Sequence, residues 1–432
     1  MAQSTNGQLP NTDGTPGLPR RSLTALLFSV LFLVLGNGLQ GTLLGVRGGM
    51  EGMAQESIGL MMSAYFAGYM LGSIFIPRRV QSVGHIRAFA AFASIASAIA
   101  LVHVLFVSAW PWTVLRILHG FCYAGLILVV ESWLNGATDN HHRGRVLSIY
   151  QLTLMVGWAV SQTLLGAASP AGFALFLLIS IFLSLSLVPI TLGKVTSPGT
   201  ITASRVSLRR LLAISPLGVA GVFVLGVVSS AFFGMGPVFA HDIGLEPGGI
   251  AVFMTATMLG AIVLQWPLGW LSDQVDRRQI IIWTAAGTAA ASFALVSQAG
   301  DSLYHLLPFA FVFGALSLPA YSLCVSHVND HIGKDALVAT ASGLILVYGA
   351  GSALGPFAAS LVMGQLGPGG LYLFAGIVEL LFVVFGFYRL TQRSAVLKEH
   401  KQVFVSLPRT THVAMQLDKR GRRSPDKDKA PE

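Results

Sequence analysis

Stretches of about twenty apolar residues recur twelve times along this chain, and nothing else in the sequence narrows the possible folds as much. A run of that length crosses hydrocarbon as an α-helix, which pairs its backbone N–H and C=O groups internally where water is absent. The runs fall at about 22–46, 57–77, 86–108, 111–134, 146–168 and 170–191, then at about 216–240, 249–271, 280–300, 306–329, 336–361 and 370–391. Charged residues make up 10% of the 432, against roughly 25% in a soluble domain, so a water-soluble fold is excluded. The expected fold is all-α and integral to the membrane, with twelve transmembrane helices in two six-helix bundles, 22–191 and 216–391. A polar tail over 1–21, a basic linker over 192–215 and a charged tail over 392–432 complete the chain. The first run is too long for a signal-peptide core and lacks a clear small-residue cleavage site behind it, so it reads as a retained span.

Charge sets the expected orientation. With the N-terminus inside, 25 of the 27 Lys and Arg fall on inner segments, while Arg47 lies outside and Arg116 lies in the membrane. Lys and Arg accumulate on the cytoplasmic side of membrane spans, so both termini are expected in the cytoplasm. The same bias accounts for the net charge of +9 through contact with anionic lipid, and no nucleic-acid partner is expected. Cys122 and Cys324 fall in apolar runs, where Cys packs as a small hydrophobe. No zinc-type Cys pair, phosphate loop or nucleophile elbow appears, so no metal, cofactor or enzymatic centre is expected. The adjacent histidines of "TDNHHRGR", 138–145, read as solvated loop residues.

The halves carry a faint repeat. Residues 120–166 laid on the segment 194 positions later give seven identities in 47, among them Gly120/Gly314, Ser132/Ser326, Asn135/Asn329 and Gly157/Gly351. Two short loops are more specific. "GWLSDQVDRR", 269–278, keeps Gly269, Leu271, Asp273, Arg277 and Arg278 of the signature G-x-L-x-D-x-x-G-R-R, with Asp276 at the glycine. Its first-half counterpart, "GSIFIPRRVQSVGHIR", 72–87, keeps Gly72, Gly84, Arg78 and Arg79 but has Pro77 where the acid belongs. Arg116 and Gly120 match R-x-x-x-G in the fourth span. "GSALGPFAA", 351–359, looks like an antiporter-type G-x-x-x-G-P signature, placed in the eleventh span instead of the fifth.

On these residues the chain resembles the major facilitator superfamily over about 22–391, and "ESWLN", 131–135, is similar to a bacterial branch whose substrates are mostly unassigned. The resemblance implies a secondary transporter of a small organic solute in a bacterial inner membrane. Its two halves would alternate access to a central cavity lined by the first, fourth, seventh and tenth spans. It also implies an inner gate built from Gly269, Asp273, Arg277 and Arg278, with Gly72, Arg78 and Arg79 as the degenerate copy.

The stretch "LRILHGFCYAGLILVVESWLN", 115–135, carries ionisable groups into the membrane. Positions 116, 119, 123, 127 and 131 step by three and four, so Arg116, His119, Tyr123 and Glu131 share one helix face. At 1.5 Å per residue, Arg116 and Glu131 lie roughly 22 Å apart and cannot pair. Either they snorkel to water at the helix ends, or they line a wet cavity. On the second reading Arg116 attracts an anionic group or organises a carboxylate, and Glu131 and His119 exchange protons. Asn37 and Gln40, three apart in the first span, share a face that lines the cavity or glues helices. Ser229 and Phe233 in the seventh span, Tyr321 beside a helix-breaking Pro319 in the tenth, Gln265 in the eighth and Tyr348 in the eleventh complete the solute-site candidates. Glu379 sits mid-way along the twelfth span, outside this set. The expected protein is a monomer in the bilayer that moves a small-molecule solute, with proton coupling and direction open. A facilitative uniporter and a non-transporting receptor or scaffold are the alternatives.

Overall fold

The computed structural model describes residues 20–138, 142–192, 207–298, 302–333, 336–392, 401–411 and 413–414. The first six spans are α1 (Arg20–Met50), α2 (Gln55–Val83), α3 (His85–Leu105), α4 (Ala109–Ala137), α5 (Arg143–Thr163) and the pair α6 (Ala174–Leu185) and α7 (Leu187–Leu192). A short helix, α8 (Leu208–Ile214), is capped by Ser207 and leads into the second set. That set is α9 (Pro216–Asp242), α10 (Pro247–Gln274), α11 (Arg277–Ser297), the pair α12 (Leu303–Ser317) and α13 (Ala320–Asn329), α14 (Leu337–Leu366) and α15 (Gly370–Gln392). Among the described residues eleven spans are long and apolar enough to cross a membrane, and α5, with Arg143 and Arg145 in its first turn, is the twelfth. The polar tail 1–19, linker residues 193–206 and residues 415–432 lie outside the described residues.

Glycines set how closely the spans approach. A Cβ on Gly68 would overlap the Ile117 carbonyl, and one on Gly120 would overlap the Tyr65 carbonyl, so α2 and α4 cross backbone to backbone. In the second set Gly260 and Gly314 stand in the same relation to the Phe311 and Thr257 carbonyls, at the crossing of α10 and α12. The Gly120/Gly314 match in the sequence is therefore one contact built twice. Van der Waals packing of this kind, and not water exclusion, holds helices together in lipid.

The tenth span breaks at Pro319, as its sequence predicts. Proline donates no hydrogen bond and its ring crowds the preceding turn. Here α12 ends at Ser317, the Ser322 amide donates to the Pro319 carbonyl at 3.1 Å, and α13 starts afresh. The fifth run, expected to reach 168, ends instead at Thr163 and passes into a 3-10 turn over Leu164–Ala167.

The first and second sets of spans meet most tightly at one end, termed here the far face. There Gln55 Nε2 donates to Asp242 Oδ2 at 2.5 Å, the Phe357 amide donates to Ser63 Oγ at 3.0 Å, and Gly59 faces Ser360. The loop joining α10 to α11 lies at the opposite end, the loop face, and there a cavity opens between the sets.

Candidate functional site

The cavity has a volume of 210 Å³ and is walled by α2, α4 and α5 on one side and by α9, α10 and α14 on the other. Its surface is mostly aromatic and aliphatic, with Tyr65, Tyr69, Tyr123, Trp158, Phe233 and Tyr348 supplying the rings. Gln151, Gln265 and Ser322 add polar groups, and residues 407–410 of the C-terminal segment line it as well. A mostly apolar cleft with a few convergent polar groups is what organic ligands occupy.

The face of α4 supplies the charged groups. Neither end of it reaches water, because Arg116 is 3% exposed and Glu131 is fully buried. Arg116 stacks its guanidinium 4.2 Å from the centre of the Tyr65 ring, and its Nε and one terminal nitrogen find no hydrogen-bond partner among the described residues. It faces a second, small cavity that it shares with Asn37, Tyr65 and Phe233 toward the far face. His119 pairs through Nε2 with Asn37 Oδ1 at 3.2 Å and stacks on Tyr123 with ring centres 6.2 Å apart. Glu131 accepts hydrogen bonds from Tyr150 Oη at 2.7 Å and from the hydroxyls of Thr410 and Thr411.

Tyr348 lines the cavity and meets Tyr321 edge to face at 5.3 Å, and Ser229 accepts from Arg409 at 3.2 Å; Tyr321 and Ser229 lie behind the cavity lining and meet it through Tyr348 and Arg409. Phe233 packs on Trp158 at 5.0 Å, and Gln265 donates to Ser406 at 3.1 Å. Gln40 does not join this site. It is buried with both amide atoms unpartnered among the described residues and lines neither cavity, because sharing a face with Asn37 does not bring it to the same neighbour. Glu379 is buried in α15 with one carboxylate oxygen unpartnered among the described residues. Tyr65 and Tyr69 were not among the sequence candidates. Their signal was two tyrosines one turn apart on the side of α2 that Gly68 presses against α4.

The loop signature forms an ion cluster at the cavity mouth. Arg277 pairs with Asp273 at 2.6 Å and with Asp330 at 2.6 Å, and Arg278 pairs with Asp276 at 2.7 Å. Burial lifts the Asp330 carboxyl above its ordinary range against the pull of Arg277. Burial also pushes Asp276 up, but the hydrogen bonds and charge of Arg278 outweigh it and hold that carboxyl below the ordinary range. Among the described residues the first-half copy builds no such cluster. Arg78 and Arg79 are exposed, and Gly72 instead gives α2 room against Ala124 and the Phe121 carbonyl of α4. Pro77 leaves that loop without the acid that organises its counterpart. Among the described residues no group of His, Cys, Asp and Glu is arranged to hold a metal ion.

Comparison with known proteins decides the family. The Major Facilitator Superfamily profile matches residues 23–245 and again 218–414. The chain belongs to the Major Facilitator Superfamily. It is a multi-pass membrane protein with the superfamily's helical fold. Curated relatives include proteins named uncharacterized MFS-type transporter YcaD from Salmonella heidelberg (strain SL476) and from Escherichia fergusonii. Each is 24% identical over 366 residues, which cover 84% of this chain and 94% of the relative. Among solved structures, a bacterial homologue of the human lysosomal transporter Spinster, inward-facing and occupied, superposes with a TM-score of 0.71 at 14% identity, over 90% of this chain and 99% of that one. The nucleoside transporter NupG gives 0.70 at 12% identity, over 86% and 99%. A D-xylose–proton symporter gives 0.65 at 13%, over 88% and 98%.

Proposed function

We propose that this protein is a secondary transporter that moves a small organic solute across a bacterial inner membrane by alternating access, with both termini and the loop face in the cytoplasm. One observation carries the reading: between the two sets of spans, which meet at the far face, lies a central cavity lined in part by Thr410, whose hydroxyl donates to the fully buried Glu131, while the buried Arg116 lines a smaller cavity toward the far face. Groups so costly to place in a membrane mark solute or ion paths. The bundles 22–191 and 216–391 would rock about this site, joined by the linker 192–215. The relatives named as transporters, and the nucleoside and D-xylose–proton transporters of like fold, support a polar organic solute.

Proton coupling is the finer part of the proposal, and it rests on Glu131, with His119 about 18 Å away along the same helix. A carboxylate whose partners are hydroxyls instead of cations can take up and lose a proton without breaking an ion pair.

Thermal melting of the detergent-purified protein against sugars, nucleosides, amino acids, organic acids and organic cations, at about pH 5.5 and about pH 8, tests the site, since a ligand of the folded state raises the melting temperature. A hit that weakens in Arg116→Ala and supports counterflow in proteoliposomes is the expected result. A hit that binds in the same way but gives no counterflow would turn the reading to a receptor.

A further inference from the structure

Residues 401–411, with 413 and 414, do not trail into the cytoplasm. They run from the loop face into the cavity, held along most of the path. At the mouth, Lys401 donates to the Val275 carbonyl, the Gln402 amide donates to Asp330 at 2.9 Å, and Arg277 donates to the Gln402 carbonyl at 3.0 Å. The Phe404 amide donates to both oxygens of Asp273, at 3.1 and 3.0 Å, and its ring covers Gly269 so closely that a Cβ there would overlap it. Deeper in, the Leu407 amide donates to Ser322 Oγ at 3.1 Å. Arg409 then reaches Ser229 and the Leu318 carbonyl at the Pro319 break, with its guanidinium carbon 5.9 Å from the ring centres of both Tyr321 and Tyr348. Thr410 and Thr411 donate to Glu131 on the opposite wall. The segment therefore bridges the two sets of spans, and Leu407, Thr411, Val413 and Ala414 are each no more than 2% exposed.

We propose that this segment is a built-in ligand of the cavity, and that the solute which displaces it is an organic cation carrying hydrogen-bond donors beside its charge. The groups that receive the segment define that class. Two tyrosine rings and two oxygen acceptors surround a guanidinium, and the nearby carboxylate of Glu131 accepts hydroxyl donors. The space left is 210 Å³, below the roughly 300–1,000 Å³ of ligand pockets, so a solute that makes these contacts must take the segment's place. Because the segment is tethered, its effective concentration at the site is on the order of millimolar, and modest contacts suffice to keep it bound. The loop signature then has a second task, since Asp273, Arg277 and Asp330 grip the segment as well as one another. Displacement by a transported solute rests on the transport reading, whereas occupancy by the segment does not.

The test is thiol labelling of the full-length protein. Leu407→Cys places a thiol at a buried position and Val403→Cys places one on the same segment at a site 72% exposed, while the native Cys122 and Cys324 are buried. A polar maleimide is expected to label the Leu407→Cys protein at least about tenfold more slowly than the Val403→Cys protein, because labelling follows the fraction of molecules with the segment withdrawn. Combining Leu407→Cys with Arg409→Ala, Thr410→Val and Thr411→Val should bring its rate up to that of Val403→Cys. The free peptide Leu-Pro-Arg-Thr-Thr at millimolar concentration should speed labelling of Leu407→Cys, and Leu-Pro-Ala-Thr-Thr should not. Equal rates for the two single variants would overturn the occupancy. Slow labelling of Leu407→Cys that the three further substitutions leave unmoved would overturn the anchors, and equal effects of the two peptides would overturn the cationic class. None of these readings depends on transport, so a protein that moves no solute would count against the transport reading alone.

Discussion

Glu131 is fully buried, accepts hydrogen bonds from Tyr150, Thr410 and Thr411, and has no cationic partner among the described residues. If it carries the proton, one proton per solute supports about tenfold accumulation for each unit of pH gradient. Glu131→Gln keeps the shape and one acceptor oxygen, replaces the other with an amide nitrogen that donates, and cannot titrate. We expect it to exchange solute across proteoliposomes at near the parent rate while its pH-driven accumulation falls to none. Normal accumulation by this variant would make Glu131 a packing residue. Asp276 acts in a different place, capping α11 by accepting from the Arg278 amide at 3.1 Å. Its folded carboxyl lies below the ordinary range, so the stability it adds is present above the unfolded value of about 3.9 and is lost as pH falls through the depressed one. Asp276→Ala should cost about 1 kcal/mol near neutral pH, with the gap in melting temperature narrowing in acid. A gap that stays constant down to about pH 3 would assign the effect to the cap geometry instead of the charge. At this scale spacing placed Arg116, His119, Tyr123 and Glu131 on one face, because helical period alone decides that. It did not place Gln40, because period does not say which neighbour a face meets.

Helix crossings follow from where the chain can afford no side chain. Gly68 and Gly120 interlock α2 with α4, and Gly226 and Gly351 do the same for α9 and α14, where a Cβ would overlap the Tyr348 or Phe223 carbonyl. Gly120→Val puts two methyl groups against the Tyr65 backbone, and overpacking of this kind typically costs about 1–3 kcal/mol. A drop of several degrees in the detergent melting temperature is expected, together with displacement of Tyr65 from Arg116 and weaker ligand binding. Unchanged melting would mean that α2 and α4 slide past one another freely. The span count, the Pro319 break and the Gly120/Gly314 match were legible because each has a local cause: hydrophobic length, a missing donor or a missing Cβ. The end of α5 was not, because Leu164–Ala167 is as apolar as the helix before it and only the tightening of its backbone marks the change.

For the whole molecule, the sequence is silent on which face is open, because alternating access requires the same residues to support two packings of similar free energy. It is equally silent on the C-terminal segment. "QVFVSLPRTT" is too short and too mixed to read as a span, and the charges after it read as a solvated tail. Only the walls that meet it show why Phe404, Leu407 and Arg409 leave water. The far face is sealed where α2 meets α9 and α14, through Gln55 and Asp242 and through Ser63 and the Phe357 amide. If transport requires this seal to open, holding it shut must stop turnover without emptying or collapsing the cavity. Gln55→Cys and Asp242→Cys, joined by a short bifunctional thiosulfonate, fix α2 to α9 at that face. Cys122 and Cys324, at 4% and 0% exposed, stay out of reach of the reagent. We expect cross-linking to abolish counterflow, a reducing agent to restore it, and a ligand entering from the loop face to raise the melting temperature equally before and after cross-linking. Counterflow that continues at the parent rate with the bridge intact would show that the far face does not open, and that any solute enters and leaves by the loop face alone.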